Sequence, residues 1–212
     1  MSTSFEDFHA LWQRLGARGD AAAIHEQLIT AYSETARAYH TVQHLDECLH
    51  LLHQTRETGA MKSPDTVEMA LWMHDAVYDP TAGDNEEQSA ALARHLLISA
   101  GVSGPLVAEI ERLVLLTKTH LALPNDDGAW IIDIDLAILG QPAPRFQEYE
   151  AQIAQEYAWA PAPVYREKRA EVLQRFLDRP TLFLTPLFRD RFENAARANL
   201  FQALHLLSPS AS

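Results

Sequence analysis

Apolar residues return every three or four positions along almost the whole chain, as at Leu45, Leu49 and Leu52 and again at Leu92, Leu96 and Leu97. That spacing follows the 3.6-residue turn of an α-helix, and no segment carries the two-residue alternation of a half-buried strand. The pattern predicts helices over 4–16, 20–35, 41–58, 64–77, 84–100, 104–119, 129–139, 145–158, 163–178 and 187–207, hence an all-α fold. Boundary signals agree. Ser63-Pro64 places a capping hydroxyl before a proline at the first helical position, Asp84 with Glu87 has the spacing of a capping box, and Gly59, Gly101 and Gly140 each close an apolar run. The breaks at 78–83, 121–128, 141–144, 160–163 and 179–186 are too short for interdomain linkers. One helical domain over 1–212 is expected, with 145–207 as a C-terminal helical cover.

Composition narrows the class. Seventeen Lys and Arg against 29 Asp and Glu leave a net charge of -12, opposite to the footprint of a protein that grips nucleic-acid phosphates or an anionic membrane. One cysteine, Cys48, excludes an internal disulfide framework and any zinc site built on several thiolates. No apolar stretch approaches the roughly 18 residues of a membrane span, and the first residues lack a basic segment followed by an apolar run. These features predict a soluble, unprocessed, cytoplasmic protein. Ten histidines stand out against this background.

Three segments carry chemistry. In Tyr39-His40-Thr41-Val42-Gln43-His44 the two histidines are four apart, so a helix that includes both would aim them at one metal or one substrate. In Trp72-Met73-His74-Asp75-Ala76-Val77-Tyr78-Asp79 an apolar helix runs into a His-Asp pair. Neighbours on a regular helix diverge by about 100°, so the two can meet one ion only where the helix ends or distorts. In Trp130-Ile131-Ile132-Asp133-Ile134-Asp135 two acids interrupt a strongly apolar run, and they cannot both be ordinary surface residues if the rest packs inward. Two imidazoles with two carboxylates suit Mn, Fe, Co, Ni or Zn better than Ca, with Mg also admissible.

The order His, then His-Asp, then Asp on separate helices resembles the HD-domain superfamily of metal-dependent phosphohydrolases. The first segment is similar to the Tyr-His-Asn-x-x-His stretch of the cyclic-nucleotide phosphodiesterases, and Ile134-Asp135-Leu136-Ala137 to the Ala-Asp-Leu-Ser segment of that branch. A group of small stand-alone bacterial HD-superfamily hydrolases shares the run from Arg37-Ala38-Tyr39-His40 through His74-Asp75-Ala76-Val77-Tyr78-Asp79-Pro80 and Asp84-Asn85-Glu86-Glu87 to Asp133-Ile134-Asp135-Leu136-Ala137-Ile138-Leu139-Gly140. The resemblance covers roughly residues 30–140. It implies an HD-type helical bundle with the metal site in that region, His44, His74, Asp75 and Asp135 as ligands of a divalent ion, and His40 as the proton donor to the leaving group. Thr41 stands where the phosphodiesterases have Asn, and no nucleotide-selecting glutamine is found, so cyclic-nucleotide specificity is not implied. The expected substrate is a small phosphorylated metabolite or nucleotide.

Arg37 offers a planar fork suited to phosphate, and Lys118 and His120 place a cation and an imidazole at a helix end; these three are the candidate substrate-binding residues. The competing readings for them are a surface ion pair of Arg37 with Glu34 and dipole complementation by Lys118 and His120. His9, His25, His50, His53, His95 and His205 read as packing or surface residues, and Cys48 as a packed thiol. Two other function classes compete. A di-iron oxygenase would need further ligands such as His95 or His120, and a non-catalytic module would keep the metal and turn over nothing. A homodimer through apolar positions in 145–207 would be unsurprising.

Overall fold

The computed structural model describes residues 2–123 and 126–207. Among these the fold is all-α: α1 (Phe5–Arg14), α2 (Ala21–Ala31), α3 (Val42–Arg56), α4 (Pro64–Met73), α5 (Asn85–Ser99), α6 (Gly104–Thr119), α7 (Asp127–Asp135), a 3-10 turn (Leu136–Gly140), α8 (Ala143–Glu156), α9 (Ala162–Leu177) and α10 (Pro186–Leu207). No described helix is long and apolar enough to cross a membrane. The chain divides into two compact units, Met1–Ile134 and Asp135–Ser212.

In the first unit α4 is the central element. Every residue from Thr66 to Met73 is buried, as expected of a helix that is apolar all round rather than along one stripe. It packs against α1, α3, α5 and α6. Phe8 of α1 meets Trp72 edge-on at 4.9 Å between ring centroids. The buried acid of α4, Glu68, is 3% exposed and is held by Arg14 of α1 at 3.0 Å, Arg56 of α3 at 2.9 Å and His53 of α3 at 3.4 Å. A buried carboxylate is tolerable only with such partners. Both arginines also pair with Asp65 in the first turn of α4, so the network ties three helices together.

Local chemistry sets the other helix ends. Ser4, Asp20 and Thr41 cap α1, α2 and α3 by accepting from the main-chain N–H groups of Asp7, Ala23 and Gln43. Two expected caps are made differently. Ser63 makes no side-chain cap; instead both carboxylate oxygens of buried Asp127, from α7, accept from the N–H groups of Lys62 and Ser63 at 2.9 and 2.7 Å. Asp84 accepts from the Gln88 side chain rather than from a main-chain N–H, and Glu87 is drawn off to Lys118. The capping box predicted there is not formed.

In the second unit α10 packs on the 3-10 turn and on α9, and α8 on the 3-10 turn. Asn199 of α10 donates to the carbonyls of Leu139 and Gln141. Buried Arg169 of α9 lies over the ring of Tyr149 and pairs with Glu150, both on α8. Gly59 and Gly101 close their helices in the left-handed region, as the apolar pattern predicted, but Gly140 has no positive φ. Its small size serves packing: a Cβ there would lie 2.6 Å from Phe192 Cβ and 2.9 Å from the Phe192 carbonyl oxygen.

Two stability effects follow. Gly140→Ala should lower stability by about 1–3 kcal/mol, the usual cost of overpacking, measured by urea denaturation; an unchanged midpoint would mean that α10 yields freely. The hydrogen bond to Glu68 raises the pKa of His53 above its ordinary 6.5. Its stabilisation is therefore fully present below pH 6.5 and fades as pH rises through the elevated folded-state value. The stability deficit of His53→Gln relative to the parent should accordingly be larger at pH 5.5 than at pH 8.5; a deficit independent of pH would show that the ring's charge contributes nothing.

Candidate metal centre

The centre is built at the C-terminal end of α4. The sequence pattern predicts helix to residue 77, but α4 stops at Met73, in the interior of the first unit. Its last carbonyls are then satisfied one by one. His74 Nδ1 donates to Leu71 O at 2.7 Å, Tyr32 Oη to Trp72 O at 3.3 Å, and Ala76 N–H to Met73 O at 3.1 Å. Beyond the end, Asp75 N–H donates to Tyr32 Oη at 3.2 Å and Val77 N–H to Ser89 Oγ at 3.0 Å. Leaving the helical path at this point lets two consecutive residues, His74 and Asp75, face one place.

His44 reaches the same place from the first turn of α3. Its Nε2 lies 3.1 Å from His74 Nε2 and 3.6 Å from Asp75 Oδ2, and His74 Nε2 lies 3.0 Å from Asp75 Oδ2. His44 and His74 are 2% and 1% exposed, while the Asp75 side chain is 16% exposed and gives the triangle an open edge. The group could hold a metal ion. Donors about 2.1 Å from a shared ion lie about 3.0 Å apart when adjacent on an octahedron and about 3.4 Å apart on a tetrahedron. Two of the separations, 3.0 and 3.1 Å, match the octahedral edge and the third, 3.6 Å, exceeds the tetrahedral one slightly, so the donor set fits a divalent cation after a small closure of His44 on Asp75.

The protonation pattern fits as well. The Nδ1–H bond to Leu71 O places the His74 proton on the far side of the ring and leaves the Nε2 lone pair facing inward, the usual outer-shell arrangement of a ligating histidine. Two imidazole nitrogens 3.1 Å apart must share either a proton or a cation. Without a metal ion, burial would push the Asp75 carboxyl up, but positive charge on the neighbouring imidazoles of His74, His40 and His44 outweighs it and holds the group well below the usual carboxylate range; a cation bound in their place would act in the same direction. Asp75 is therefore a carboxylate at any physiological pH, as a ligand must be.

The other predicted residues fall as follows. His40 lies in the turn before α3 rather than on the helix with His44, so the four-residue helical relation does not apply. The two rings nonetheless stand 6.0 Å apart, and His40 stacks on Tyr78 at 4.2 Å. Arg37 is buried and does pair with Glu34, at 3.2 Å, but its fork is directed to main-chain carbonyls: Nη1 donates to His40 O at 3.1 Å and Asp75 O at 2.6 Å, and Nη2 to Ala76 O at 3.2 Å. Lys118 Nζ donates to Glu87 at 2.5 Å and to Gly83 O at 2.8 Å on the surface. His120 ends α6 in the left-handed conformation, at φ 52°. Asp135 closes α7 and is the first residue of the second unit, while Asp133 is wholly buried. Among the described residues, neither His95, which is exposed, nor His120 joins a group of three potential ligands.

Sequence reasoning missed three supporting residues: Tyr32, Ser89 and Asp127. Each is buried and binds main-chain groups distant in sequence, a role without a local signature. Asn85 is a milder case. Its side chain donates to Asp79 O and accepts from Asp79 N–H, closing the loop after the His-Asp pair, which accounts for its place in the Asp84-Asn85-Glu86-Glu87 run.

No protein-family model matches the chain, and neither a curated protein nor a solved structure is significantly similar to it.

Proposed function

We propose that the protein is a metal-dependent phosphohydrolase that cleaves a phosphate ester of a small metabolite or nucleotide. The observation that carries the reading is the buried triangle of His44 Nε2, His74 Nε2 and Asp75 Oδ2, with separations of 3.1, 3.6 and 3.0 Å. The order of these residues along the chain, followed by Asp135 as the fourth ligand, is what the resemblance to the HD-domain superfamily calls for. A divalent ion held there supplies a nucleophile from water at neutral pH, by lowering its pKa from 15.7 towards about 7, and neutralises phosphoryl charge.

The chain's own residues supply the rest. His40 is the proton donor to the leaving oxygen: it is half-buried beside His44, its carbonyl is held by Arg37, and its ring is steadied against Tyr78. Such a donor contributes about 10²- to 10⁴-fold in rate. Lys118 and His120 form the phosphate edge. For this Lys118 must exchange its pair with Glu87, an exposed contact that binds weakly and breaks readily.

The test is elemental analysis of protein purified without chelator or affinity metal, alongside His74→Ala and Asp135→Ala. Up to one equivalent of a divalent transition metal is expected in the parent, with marked loss in both variants. A panel of phosphate esters assayed with added Mn, Co, Ni and Mg should then show turnover by the parent, and His40→Ala should lower kcat at least a hundredfold while metal content stays at the parental level. Unchanged metal in both ligand variants would remove the proposed coordination sphere. Full metal loading with no turnover across the panel would leave a binding module in place of an enzyme.

A further inference from the structure

The segment between α2 and α3 carries two buried side chains whose polar atoms converge on the end of α4. Tyr32, fully buried, uses its one hydroxyl twice: it donates to Trp72 O at 3.3 Å and accepts from Asp75 N–H at 3.2 Å, so it brackets His74 on both sides. Arg37 takes over where Tyr32 stops: Nη2 donates to Ala76 O at 3.2 Å, and Nη1 donates both to Asp75 O at 2.6 Å and to His40 O at 3.1 Å. The guanidinium sits 5.3 Å from the ring centre of Tyr32 and 5.4 Å from that of Tyr78, and Tyr78 in turn stacks on His40.

Burying a guanidinium is costly, and an apolar side chain could fill the same volume at lower cost. What an apolar side chain cannot do is fix three carbonyls from two separate segments at one point. Those segments carry His40 on one side and His74 with Asp75 on the other. Ligand geometry in such a site depends on groups beyond the ligands, and His74 and Asp75 lie just past the helix end, where one main-chain bond, Ala76 N–H to Met73 O, closes the turn and side chains hold the rest of it.

We propose that Tyr32 and Arg37 are positioning residues of the metal centre: together they clamp the His74-Asp75 turn so that its imidazole and carboxylate meet His44, and Arg37 couples that turn to the loop carrying His40. This rests on the metal-centre reading above. It gives Arg37 a role through main-chain carbonyls rather than through substrate phosphate.

The experiment is titration of the metal-free full chain with Co(II), following heat release and the visible absorption of the bound ion, for the parent, Tyr32→Phe, Arg37→Lys, Glu68→Gln and His74→Ala. Melting in the presence of chelator is recorded for each. Tyr32→Phe keeps the ring and loses only the hydroxyl. Folded Tyr32→Phe and Arg37→Lys are expected to bind Co(II) about 10- to 100-fold more weakly, with displaced absorption bands. Glu68→Gln should melt earlier and keep the parental affinity and spectrum, because it loosens α4 away from the site; His74→Ala should lose binding. Parental affinity and bands in both clamp variants would overturn the proposal while leaving the metal centre intact. Should Arg37→Lys fail to fold, Tyr32→Phe alone decides in the same terms. A parent that binds no Co(II) would overturn the metal centre itself, and the clamp with it.

Discussion

A helix buried on every side cannot hand its last carbonyl groups to water. In the first unit α4 is such a helix, and it stops at Met73 while still inside the structure. Each free carbonyl must find a donor within the protein, and the donors come from a histidine ring, a tyrosine hydroxyl and a tightened main-chain turn. The solution to that backbone problem also creates the site. The hydrogen bond that satisfies Leu71 O is the one that turns the other nitrogen of His74 inward, and the turn that brings Ala76 N–H back to Met73 O swings Asp75 to the same side.

Placing the donors there has electrostatic consequences. Two imidazoles almost without solvent contact, beside a carboxylate with a narrow exposure, form a site in which an unshared proton or an unpaired charge is expensive. A divalent ion would relieve both at once, held by two imidazole nitrogens and one carboxylate oxygen. The same low exposure that makes the site costly when unsatisfied would strengthen the attraction of these groups for a cation. Away from the site the buried charges of the first unit are handled differently. Glu68 is neutralised by two arginines and a histidine with no open edge, which is the signature of an architectural group rather than a reactive one.

Much of this was legible in the residue pattern. Ten helices were predicted and ten α-helices are present among the described residues, because a 3.6-residue apolar period is a direct statement of which face each helix buries. The geometry of consecutive residues requires a helix end or distortion if the His-Asp pair is to meet one ion, although the apolar pattern runs that helix on to residue 77. Less legible were the details that depend on distant neighbours. Ser63 has the form of a cap, yet the N–H groups at that end go to Asp127, 64 residues further on. Gly140 has the form of a helix stop, yet its missing side chain accommodates Phe192. His53 has the form of a surface or packing histidine, yet it completes the set of partners around Glu68. For Arg37 the sequence offers a phosphate or an ion pair with Glu34; folding gives it the Glu34 pair and, beyond either reading, three main-chain carbonyls.

By itself, then, the sequence determined the helical class, the approximate span of each element and the short list of side chains able to bind a cation, because these depend on periodicity and residue chemistry within a few positions of one another. The tertiary structure decided that His44, His74 and Asp75 come within 3.6 Å of one another, that α4 ends four residues short of its apolar pattern, and that Tyr32 and Arg37 hold that end. The physical reason is that a buried polar group takes whichever partner the packing brings to it. That partner stands here 38 or 43 positions away, beyond the reach of any local pattern.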